Sequence, residues 1–374
     1  MQKKDYMLRA IELAKKGEGW TSPNPLVGAV IVKDGRILAE GYHEKYGELH
    51  AERNALKNLK ESAEGATIYV TLEPCCHYGK QPPCTEAILE AGIKQVVVGS
   101  RDPNPLVAGK GIRFLREHGI LVEEDFMRKE CDELNPVFFH FIQNKRPYVV
   151  MKYAMTMDGK IATKAGKSKW ITSEESRKIV HEMRHKYRAI LVGIGTVLKD
   201  NPMLNTRLEG KKSPIRVICD SKLLIPLESR ICQSAKDYPT IVACANAKKE
   251  KKEELEKLGI QVVEVPQEGE TKTKARVDLI KLMEMLGRQN IDSVLVEGGG
   301  TLNESMLKQD LVDEVNVFLA PKLFGGKEAP SPVEGSGICE VKEAKRFHLY
   351  KIQQIGEDVH IVYRKERTTC LQEL

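Results

Sequence analysis

The chain has 374 residues, a length that favours two or three domains over one hydrophobic core. Hydrophobic residues make up 41% and charged residues 30%, which excludes a disordered or fibrous protein, and a net charge of +6 is too small for a protein that must neutralise a nucleic-acid backbone. Residues 1–144 carry 19 basic and 21 acidic side chains and the remainder 40 and 32, so the second part is better suited to small anionic ligands.

The first part of the chain alternates between helix and strand patterns, which predicts helices packed on a central sheet. Asp34-Gly35 separates two apolar runs and is a hairpin signature. In chain order we expect a helix at 7–16, strands at 26–32 and 36–41, a helix at 50–59, a strand at 67–72, a helix at 85–91, a strand at 95–99, a further helix and strand up to 122, and one long helix over 126–143.

A polar break at residues 144–147 predicts the domain boundary, with domains at 1–144 and 145–374. A second alternation begins at Tyr148 and predicts a larger α/β sheet. Residues 172–175, Thr-Ser-Glu-Glu, have the pattern of a capping box that opens a helix to about residue 187. The strand candidates are residues 148–154, 189–192, 215–220, 240–243, 261–265, 293–296, 315–319, 347–352 and 359–363.

The sequence also indicates a compartment. The longest apolar runs reach about seven residues, whereas a membrane span needs about twenty. The first residues contain no apolar stretch followed by a small-residue cleavage site, so we expect a cytoplasmic protein. Nine scattered cysteines argue for reduced thiols, some of them available to a metal ion.

The most informative pattern combines His50-Ala51-Glu52 with Cys75 and Cys84. One imidazole and two thiolates make a three-ligand zinc shell, and catalytic zinc sites keep the fourth position for water. Glu52 is the wrong type of ligand beside soft thiolates, but it can carry a proton from that water to a leaving amine. We therefore predict hydrolytic deamination, with His50, Cys75 and Cys84 as metal ligands and Glu52 as the catalytic residue.

Two alternatives to this catalytic site are a closed structural zinc site, formed by Cys75, Cys76, His77 and Cys84, and ordinary core cysteines. Neither explains why His-x-Glu lies at a predicted helix start while Pro-Cys follows a predicted strand. We assign Cys76 to packing.

A glycine-rich stretch in the second part, residues 294–303, predicts a strand, a tight turn and a helix start. Such a turn lets backbone amides and the positive end of a helix dipole approach a phosphate. It lacks the alternating glycines of the dinucleotide fingerprint, and a simple tight turn is the alternative.

Residues 71–84, TLEPCCHYGKQPPC, and residues 23–28, PNPLVG, closely resemble the pyrimidine deaminases of riboflavin biosynthesis, within the cytidine-deaminase superfamily. Eight residues separate the two cysteine ligands, more than in the usual motif of that superfamily. The resemblance implies a cytidine-deaminase-like αβα domain. It also implies that Asn24, His43, His77 and Lys80 bind the substrate, with Lys80 near its phosphate.

The second part resembles the reductase domain of the bifunctional deaminase/reductases of riboflavin biosynthesis, and the whole resemblance runs from about residue 6 to about residue 364. It is carried by residues 155–162, 168–172, 195–198 and 294–303. It implies a dihydrofolate-reductase-like α/β fold and NADPH as cofactor. The implied cofactor contacts are Ala154, Trp170, Thr196, Asp200, Ser221, Gly299, Gly300, Thr301, Leu302, Asn303, Glu304 and Ser305. The implied substrate contacts are Ser168, Arg184, Leu204, Arg207 and Glu297.

Together these observations predict a two-step enzyme of riboflavin biosynthesis. The first domain would deaminate 2,5-diamino-6-ribosylamino-4(3H)-pyrimidinone 5′-phosphate with zinc, and the second would reduce the ribosyl group with NADPH to give 5-amino-6-ribitylamino-uracil 5′-phosphate. Hydride transfer needs orientation more than a reactive side chain, and Asp200 and Glu297 are both candidates for handling protons.

Other functions fit parts of the sequence. One alternative is a tRNA or nucleoside deaminase with a non-catalytic nucleotide-sensing domain, and another is a zinc-stabilised scaffold. The acidic first part argues against an RNA substrate. The family resemblance implies a small-molecule substrate, no nucleic-acid or membrane partner, and a homo-oligomer, either a dimer or a tetramer.

Overall fold

The computed structural model describes residues 2–79, 81–105, 107–267 and 276–365. The chain divides into two compact units between Lys145 and Arg146. Each unit contains one sheet. Among the described residues, no helix combines the length and the apolar character needed to cross a bilayer.

The first unit is a five-stranded sheet with helices on both faces. In chain order its elements are α1 (Lys3–Lys15), β1 (Gly28–Lys33), β2 (Arg36–Tyr42), α2 (Ala51–Lys57), β3 (Thr67–Leu72), α3 (Cys84–Glu90), β4 (Gln95–Ser100), α4 (Lys110–Glu117), β5 (Leu121–Glu123), α5 (Arg128–Asp132) and α6 (Pro136–Asn144). The strand order is β2-β1-β3-β4-β5, with β1 antiparallel to both neighbours and β3, β4 and β5 parallel. Asp34 and Gly35 have φ values of 51° and 73°, as the predicted hairpin turn requires.

The core of the first unit follows from the alternation of side chains along its strands. Ala29 and Ile31 of β1 pack in one cluster with side chains of α2, α3 and α4, whereas Val30 and Val32 pack on the opposite face against α1. The result is the three-layer αβα arrangement that the sequence predicts.

The prediction of a single long helix over residues 126–143 is wrong. The chain forms α5 and α6 instead, and the break falls at Asn135, whose φ of −122° and ψ of 39° are not helical. Pro136 explains the break, because a proline disfavours helical geometry in the preceding residue and is well tolerated at the first position of a new helix.

The second unit is built on a nine-stranded sheet. In chain order its elements are β6 (Tyr148–Thr156), α7 (Glu174–Lys186), β7 (Ala189–Gly193), α8 (Ile194–Asp200), β8 (Ile215–Cys219), α9 (Arg230–Gln233), β9 (Thr240–Cys244), α10 (Lys249–Lys257), β10 (Ile260–Glu264), α11 (Leu279–Arg288), β11 (Ser293–Val296), α12 (Gly300–Lys308), β12 (Glu314–Ala320), a 3₁₀ turn (Val341–Glu343), β13 (His348–Ile355) and β14 (Asp358–Arg364). The strand order is β10-β9-β8-β7-β11-β6-β12-β14-β13, parallel as far as β12 and antiparallel for the last two pairs.

Both faces of this sheet are buried at its centre, as expected of parallel strands covered by helices. Ala189 and Leu191 of β7 pack with side chains of α11 and α12, while Ile190 and Val192 pack on the other face with side chains of α8, α9 and α10. This is the predicted α/β architecture of a dihydrofolate-reductase-like domain.

The start of α7 differs in detail from the predicted capping box. The N-cap is Ser173, whose Oγ accepts a hydrogen bond from the backbone N–H of Ser176 at 3.2 Å. The position three residues after this cap therefore holds a serine, which cannot supply the reciprocal carboxylate of a box. The helix begins with a single side-chain cap.

Candidate active sites

The three predicted metal ligands come together beyond the carboxyl end of β3. His50 is the N-cap of α2, Cys75 lies three residues after β3, and Cys84 is the first residue of α3. The Nδ1 atom of His50 lies 3.5 Å from Cys75 Sγ and 3.4 Å from Cys84 Sγ. One nitrogen and two sulfur donors at such mutual distances are the donor set of a zinc site, so these residues fit the ion.

The alternative of a closed zinc site finds no support in this arrangement. Among the described residues, His50, Cys75 and Cys84 are the one group of three or more potential ligands whose donor atoms lie within 4.8 Å of one another. Cys76 and His77 are outside that group. Three protein ligands is the count typical of catalytic zinc sites.

Hydrogen bonding prepares Cys75 to bind a metal ion. Hydrogen bonds from the Cys84 thiol and from His50 lower the pKa of the Cys75 thiol. The backbone N–H of Cys84 also donates to Cys75 Sγ at 3.4 Å. Because the thiolate is the form that binds metals, this environment favours a metal site at Cys75.

Glu52 lies in the first turn of α2, 3% exposed, and lines a cavity of about 250 Å³ together with His50 and Cys75. Burial raises the pKa of the Glu52 carboxyl to about 7. A carboxyl group with such a pKa can both accept and release a proton near neutral pH. The close packing of α2 on β2 fixes its position, since a Cβ atom at Gly41 would lie only 2.2 Å from the backbone nitrogen of Ala55.

Three of the four predicted substrate ligands in this domain, Asn24, His43 and His77, line the same cavity. His43 Nδ1 lies 2.9 Å from the carbonyl oxygen of Leu49, so Nδ1 carries the proton and Nε2 accepts from the Asn24 amide at 3.1 Å. Burial lowers the pKa of His43, which keeps its imidazole neutral. The Nδ1 atom of His77 has no hydrogen-bond partner in the described part of the chain. Lys80 lies outside the described residues.

The sequence analysis missed Asp102 and Asn104, which line the cavity from the loop after β4. Burial raises the pKa of Asp102 to about 7, and its Oδ1 accepts from the Asn104 backbone at 2.8 Å. The buried Glu73 carboxylate fastens this loop by accepting from the backbone nitrogens of Gly109 and Gly111 at 3.0 and 3.1 Å. One signal was available: a strand, a helix and a second strand in succession favour parallel pairing, which places polar residues just beyond both strands at one edge of a sheet, and β3 and β4 are indeed parallel.

In the second unit, predicted cofactor residues gather at the carboxyl ends of four adjacent parallel strands, β8, β7, β11 and β6. Ser221 follows β8, Thr196 lies in α8 after β7, Gly299 is the N-cap of α12 after β11, and Ala154 lies in the second half of β6. Ligands of open α/β sheets bind at this edge.

The glycines at this edge leave room for a ligand. A Cβ atom added at Gly195 or Gly299 would meet no atom within 4 Å, whereas one at Gly300 would lie 2.8 Å from the backbone carbonyl oxygen of Ser331. The open space at Gly299 faces the amino end of a nine-residue helix, α12, where backbone N–H groups attract phosphate. These residues fit a phosphorylated dinucleotide such as NADPH.

Not every predicted contact on α12 offers its side chain to a cofactor. Asn303 is fully buried and donates to the carbonyl oxygen of Pro332 at 2.8 Å, and Ser305 Oγ donates to the carbonyl oxygen of Thr301 at 2.9 Å. Thr301 is exposed, and Leu302 and Glu304 are half-buried.

Substitution of the two neighbouring glycines, Gly299 and Gly300, should affect cofactor binding and folding stability respectively. We expect Gly299→Ala to raise the KM for NADPH about tenfold by filling the open space, at an unchanged melting temperature, since its φ of −79° suits any residue. Gly300→Ala should instead lower the melting temperature, because its Cβ has no room. Steady-state kinetics and thermal melts measure both effects, and an unchanged KM for NADPH in Gly299→Ala would contradict the proposed contact.

A second cavity, of about 760 Å³, is lined by four of the predicted residues, Trp170, Arg184, Arg207 and Glu297. Arg184 pairs with Glu297 through two parallel hydrogen bonds, Nε to Oε1 at 2.7 Å and Nη2 to Oε2 at 3.0 Å. Burial opposes ionisation of Glu297, but the charges of Arg184 and Lys152 outweigh it and lower the pKa of Glu297 to about 2. The cavity therefore contains a fixed carboxylate within a cluster of cations.

The other predicted reductase residues lie apart from this cavity lining. Asp200 is the exposed last residue of α8, and the low pKa of Glu297 makes its carboxylate a poor proton donor near neutral pH, so the structure favours neither residue for handling protons. Ser168 is half-buried in the loop before α7. Leu204 is 3% exposed and packs in the core, so a contact of Leu204 with substrate would have to use its backbone.

Lys152 is a cavity residue that the sequence analysis missed. It lies in the middle of β6, where burial lowers its pKa, and its Nζ lies 5.7 Å from the ring centroid of Phe318. A lysine in an otherwise apolar strand pattern was the available signal, because strands rarely bury a lone charge without a functional reason.

Comparison with known proteins assigns a family to each part of the chain. The family profile of the cytidine and deoxycytidylate deaminase zinc-binding region matches residues 1–100, and that of the RibD C-terminal domain matches residues 147–361. The riboflavin biosynthesis protein RibD of Actinobacillus pleuropneumoniae is 53% identical over 96% of this chain and 94% of its own length.

Solved structures give the same result. The crystal structure of a diaminohydroxyphosphoribosylaminopyrimidine deaminase/5-amino-6-(5-phosphoribosylamino)uracil reductase from Thermotoga maritima is 39% identical, with a TM-score of 0.85 over 97% of this chain and 98% of that one. RibD of Acinetobacter baumannii is 37% identical, with a TM-score of 0.86 over 97% and 99% of the two chains. These matches do not favour a tRNA or nucleoside deaminase with a sensing domain. The chain belongs to the RibD family of bifunctional enzymes of riboflavin biosynthesis, which combine a zinc-binding deaminase domain with an NADPH-dependent reductase domain.

Proposed function

We propose that this chain removes ammonia from C2 of 2,5-diamino-6-ribosylamino-4(3H)-pyrimidinone 5′-phosphate and then reduces the ribosyl group of the product to give 5-amino-6-ribitylamino-uracil 5′-phosphate. Residues 1–144 would form the deaminase domain and residues 145–374 the reductase domain. The observation that carries the proposal is the cluster of His50, Cys75 and Cys84 beside the buried Glu52, in a chain whose second unit has open space at the glycine turn before α12.

In the deaminase domain, His50, Cys75 and Cys84 would hold zinc, which when bound activates water for attack on an aromatic amidine. The Glu52 carboxyl, buried and with a pKa of about 7, takes up a proton and delivers it to the leaving amine. The neutral His43 accepts a hydrogen bond from the Asn24 amide and so positions Asn24, which would bind the pyrimidine. The walls of the cavity exclude bulk water from these transfers.

In the reductase domain, NADPH supplies the hydride when bound, and the protein supplies position and charge. The glycine turn before α12 would bind its phosphates. Arg184 and Arg207 would attract the phosphate and pyrimidine of the substrate, and Glu297 orients Arg184. No nucleophile is required, because an aminoribose opens to an imine that accepts hydride at C1′.

The direct test is to incubate the purified protein with the diamino substrate, first without and then with NADPH. We expect ammonia release in the first stage and loss of NADPH absorbance in the second. Ammonia release without NADPH oxidation, for a fully folded protein, would contradict the reductase half of the proposal.

Metal removal separates the two activities. A zinc chelator should abolish ammonia release and leave reduction of the supplied deaminated intermediate unchanged, since the described ligand cluster lies wholly within the first unit. Cys84→Ser should lower the zinc content from about one ion per chain and reproduce the effect of the chelator. Equal loss of both activities would contradict separate sites.

We also propose that the chain forms a homo-oligomer through β13. This strand is the edge of its sheet and exposes 57% of Leu349 and 62% of Ile352, and apolar edge strands commonly mark protein interfaces. We expect replacement of both residues by Lys to lower the molar mass in light scattering to that of a monomer. An unchanged mass would exclude β13 as the interface.

The described cysteines are all free thiols, which supports the expected cytoplasmic location.

A further inference from the structure

Arg216, in β8, is a fully buried cation that the proposed chemistry does not use. Each of its acceptors in the described part of the chain is a neutral oxygen. Burial lowers the pKa of its guanidinium to about 10, which still leaves it charged near neutral pH. Burying a cation without a counter-charge is costly unless hydrogen bonds satisfy its donors, as they do for Arg216.

Those hydrogen bonds join three separate segments. Nε and Nη2 donate to Thr240 Oγ1 at 3.0 and 2.7 Å, and Nη2 also donates to the carbonyl oxygens of Ile231 and Tyr238 at 2.9 and 3.1 Å. Nη1 donates to Ser234 Oγ at 2.8 Å and to the carbonyl oxygen of Met203 at 3.3 Å. The guanidinium therefore ties α9 and the start of β9 to the loop that follows α8.

This loop connects Arg216 with the reductase cavity. Leu204, next to Met203, has a φ of 56°, an unfavourable value for leucine that surrounding contacts must maintain. Arg207, four residues after Met203, lines the cavity. The Met203 carbonyl held by Arg216 thus lies at the base of the segment that presents Arg207.

A second connection runs through Tyr238. The Arg216 guanidinium lies 5.3 Å from the centroid of the Tyr238 ring, and the Tyr238 hydroxyl accepts a hydrogen bond from Asn205 Nδ2 at 3.3 Å. The Asn205 carbonyl oxygen in turn accepts from Arg184 Nη1 at 3.1 Å. Arg184 is therefore hydrogen-bonded to this loop through Nη1 and to Glu297 through Nε and Nη2.

We propose that Arg216 is a positioning residue of the reductase site: it holds residues 203–207 so that Arg184 and Arg207 are aligned to bind the phosphorylated pyrimidine substrate. A planar guanidinium with five donors can hold acceptors from three segments at once, which the ammonium group of a lysine cannot do with the same geometry. This inference rests on the proposed reductase function and deepens it.

The test compares Arg216→Met, Arg216→Lys and Tyr238→Phe with the unmodified protein. Tyr238→Phe removes only the hydroxyl that holds Asn205, so we expect the KM for the deaminated intermediate to rise about two- to tenfold, the effect of losing one hydrogen bond. Arg216→Met should raise it more than tenfold, and Arg216→Lys should fall between. The dissociation constant of the intermediate without NADPH, measured by calorimetry, should rise by the same factors.

Two other properties of each variant, together with one surface variant, serve as controls. The KM for NADPH and the rate of ammonia release should stay within about twofold in each variant, as they should for Arg288→Met, whose side chain is 79% exposed. A purely structural role would lower the melting temperature and kcat with an unchanged KM for the intermediate, and that result would overturn the inference. If Arg216→Met fails to fold, Arg216→Lys and Tyr238→Phe decide. An unmodified protein that binds the intermediate but never oxidises NADPH would overturn the proposed function, while the calorimetric comparison would still decide the role of Arg216.

Discussion

Glu52→Gln is expected to lower the rate of ammonia release by about 10²- to 10⁴-fold, the usual contribution of a general acid–base group. Glutamine keeps the size and the hydrogen-bonding capacity of the side chain, but it cannot accept and then deliver a proton. Because the metal-ligand cluster does not include Glu52, the zinc content should stay unchanged. Ammonia assays and metal analysis of the same preparation measure both quantities.

Two controls accompany this substitution. Glu48→Gln removes an exposed carboxylate that lines the same cavity, and it should lower the rate far less. Reduction of the supplied deaminated intermediate should proceed normally in Glu52→Gln. If Glu52→Gln lost both its zinc and its ability to release ammonia, the role of Glu52 would be to support the metal site and not to transfer a proton.

Arg184→Met is expected to lower kcat/KM for reduction by about 30- to 5,000-fold, since truncating one partner of a buried charge pair costs about 2–5 kcal/mol in binding. The substitution removes a cation from the cavity and leaves the Glu297 carboxylate, whose side chain is 13% exposed, without its two hydrogen bonds from Arg184. Kinetics with the deaminated intermediate and a thermal melt measure the effects on activity and on stability.

The double variant Arg184→Met/Glu297→Gln separates these effects. It also neutralises the carboxylate that loses its partner in Arg184→Met, so its melting temperature should exceed that of Arg184→Met. Reduction should stay slow, because the cation is still missing. If the double variant regained full activity, Arg184 would serve only to neutralise Glu297 and would not bind substrate.

Much of the fold and of the deaminase site follows from local patterns. Period-two and helical spacing predict the strands and most of the helices, and Pro136 marks the one long helix that the prediction failed to divide. His50 and Glu52 lie two residues apart at one helix start, and Cys75 closely follows a strand, so their types and spacing are enough to suggest zinc chemistry.

Other features depend on contacts between distant parts of the chain. Arg184 and Glu297 are 113 residues apart and meet because α7 packs near the end of β11, a pairing that no local pattern encodes. Lys152, Asp102 and Arg216 reach their places through the order of parallel strands, which only the packed sheet defines. The sequence by itself thus predicted most of the elements and the residues that we propose as metal ligands and proton carrier. The tertiary structure decided which charged groups share a cavity, because their burial and pairing depend on side chains contributed by separate strands and helices.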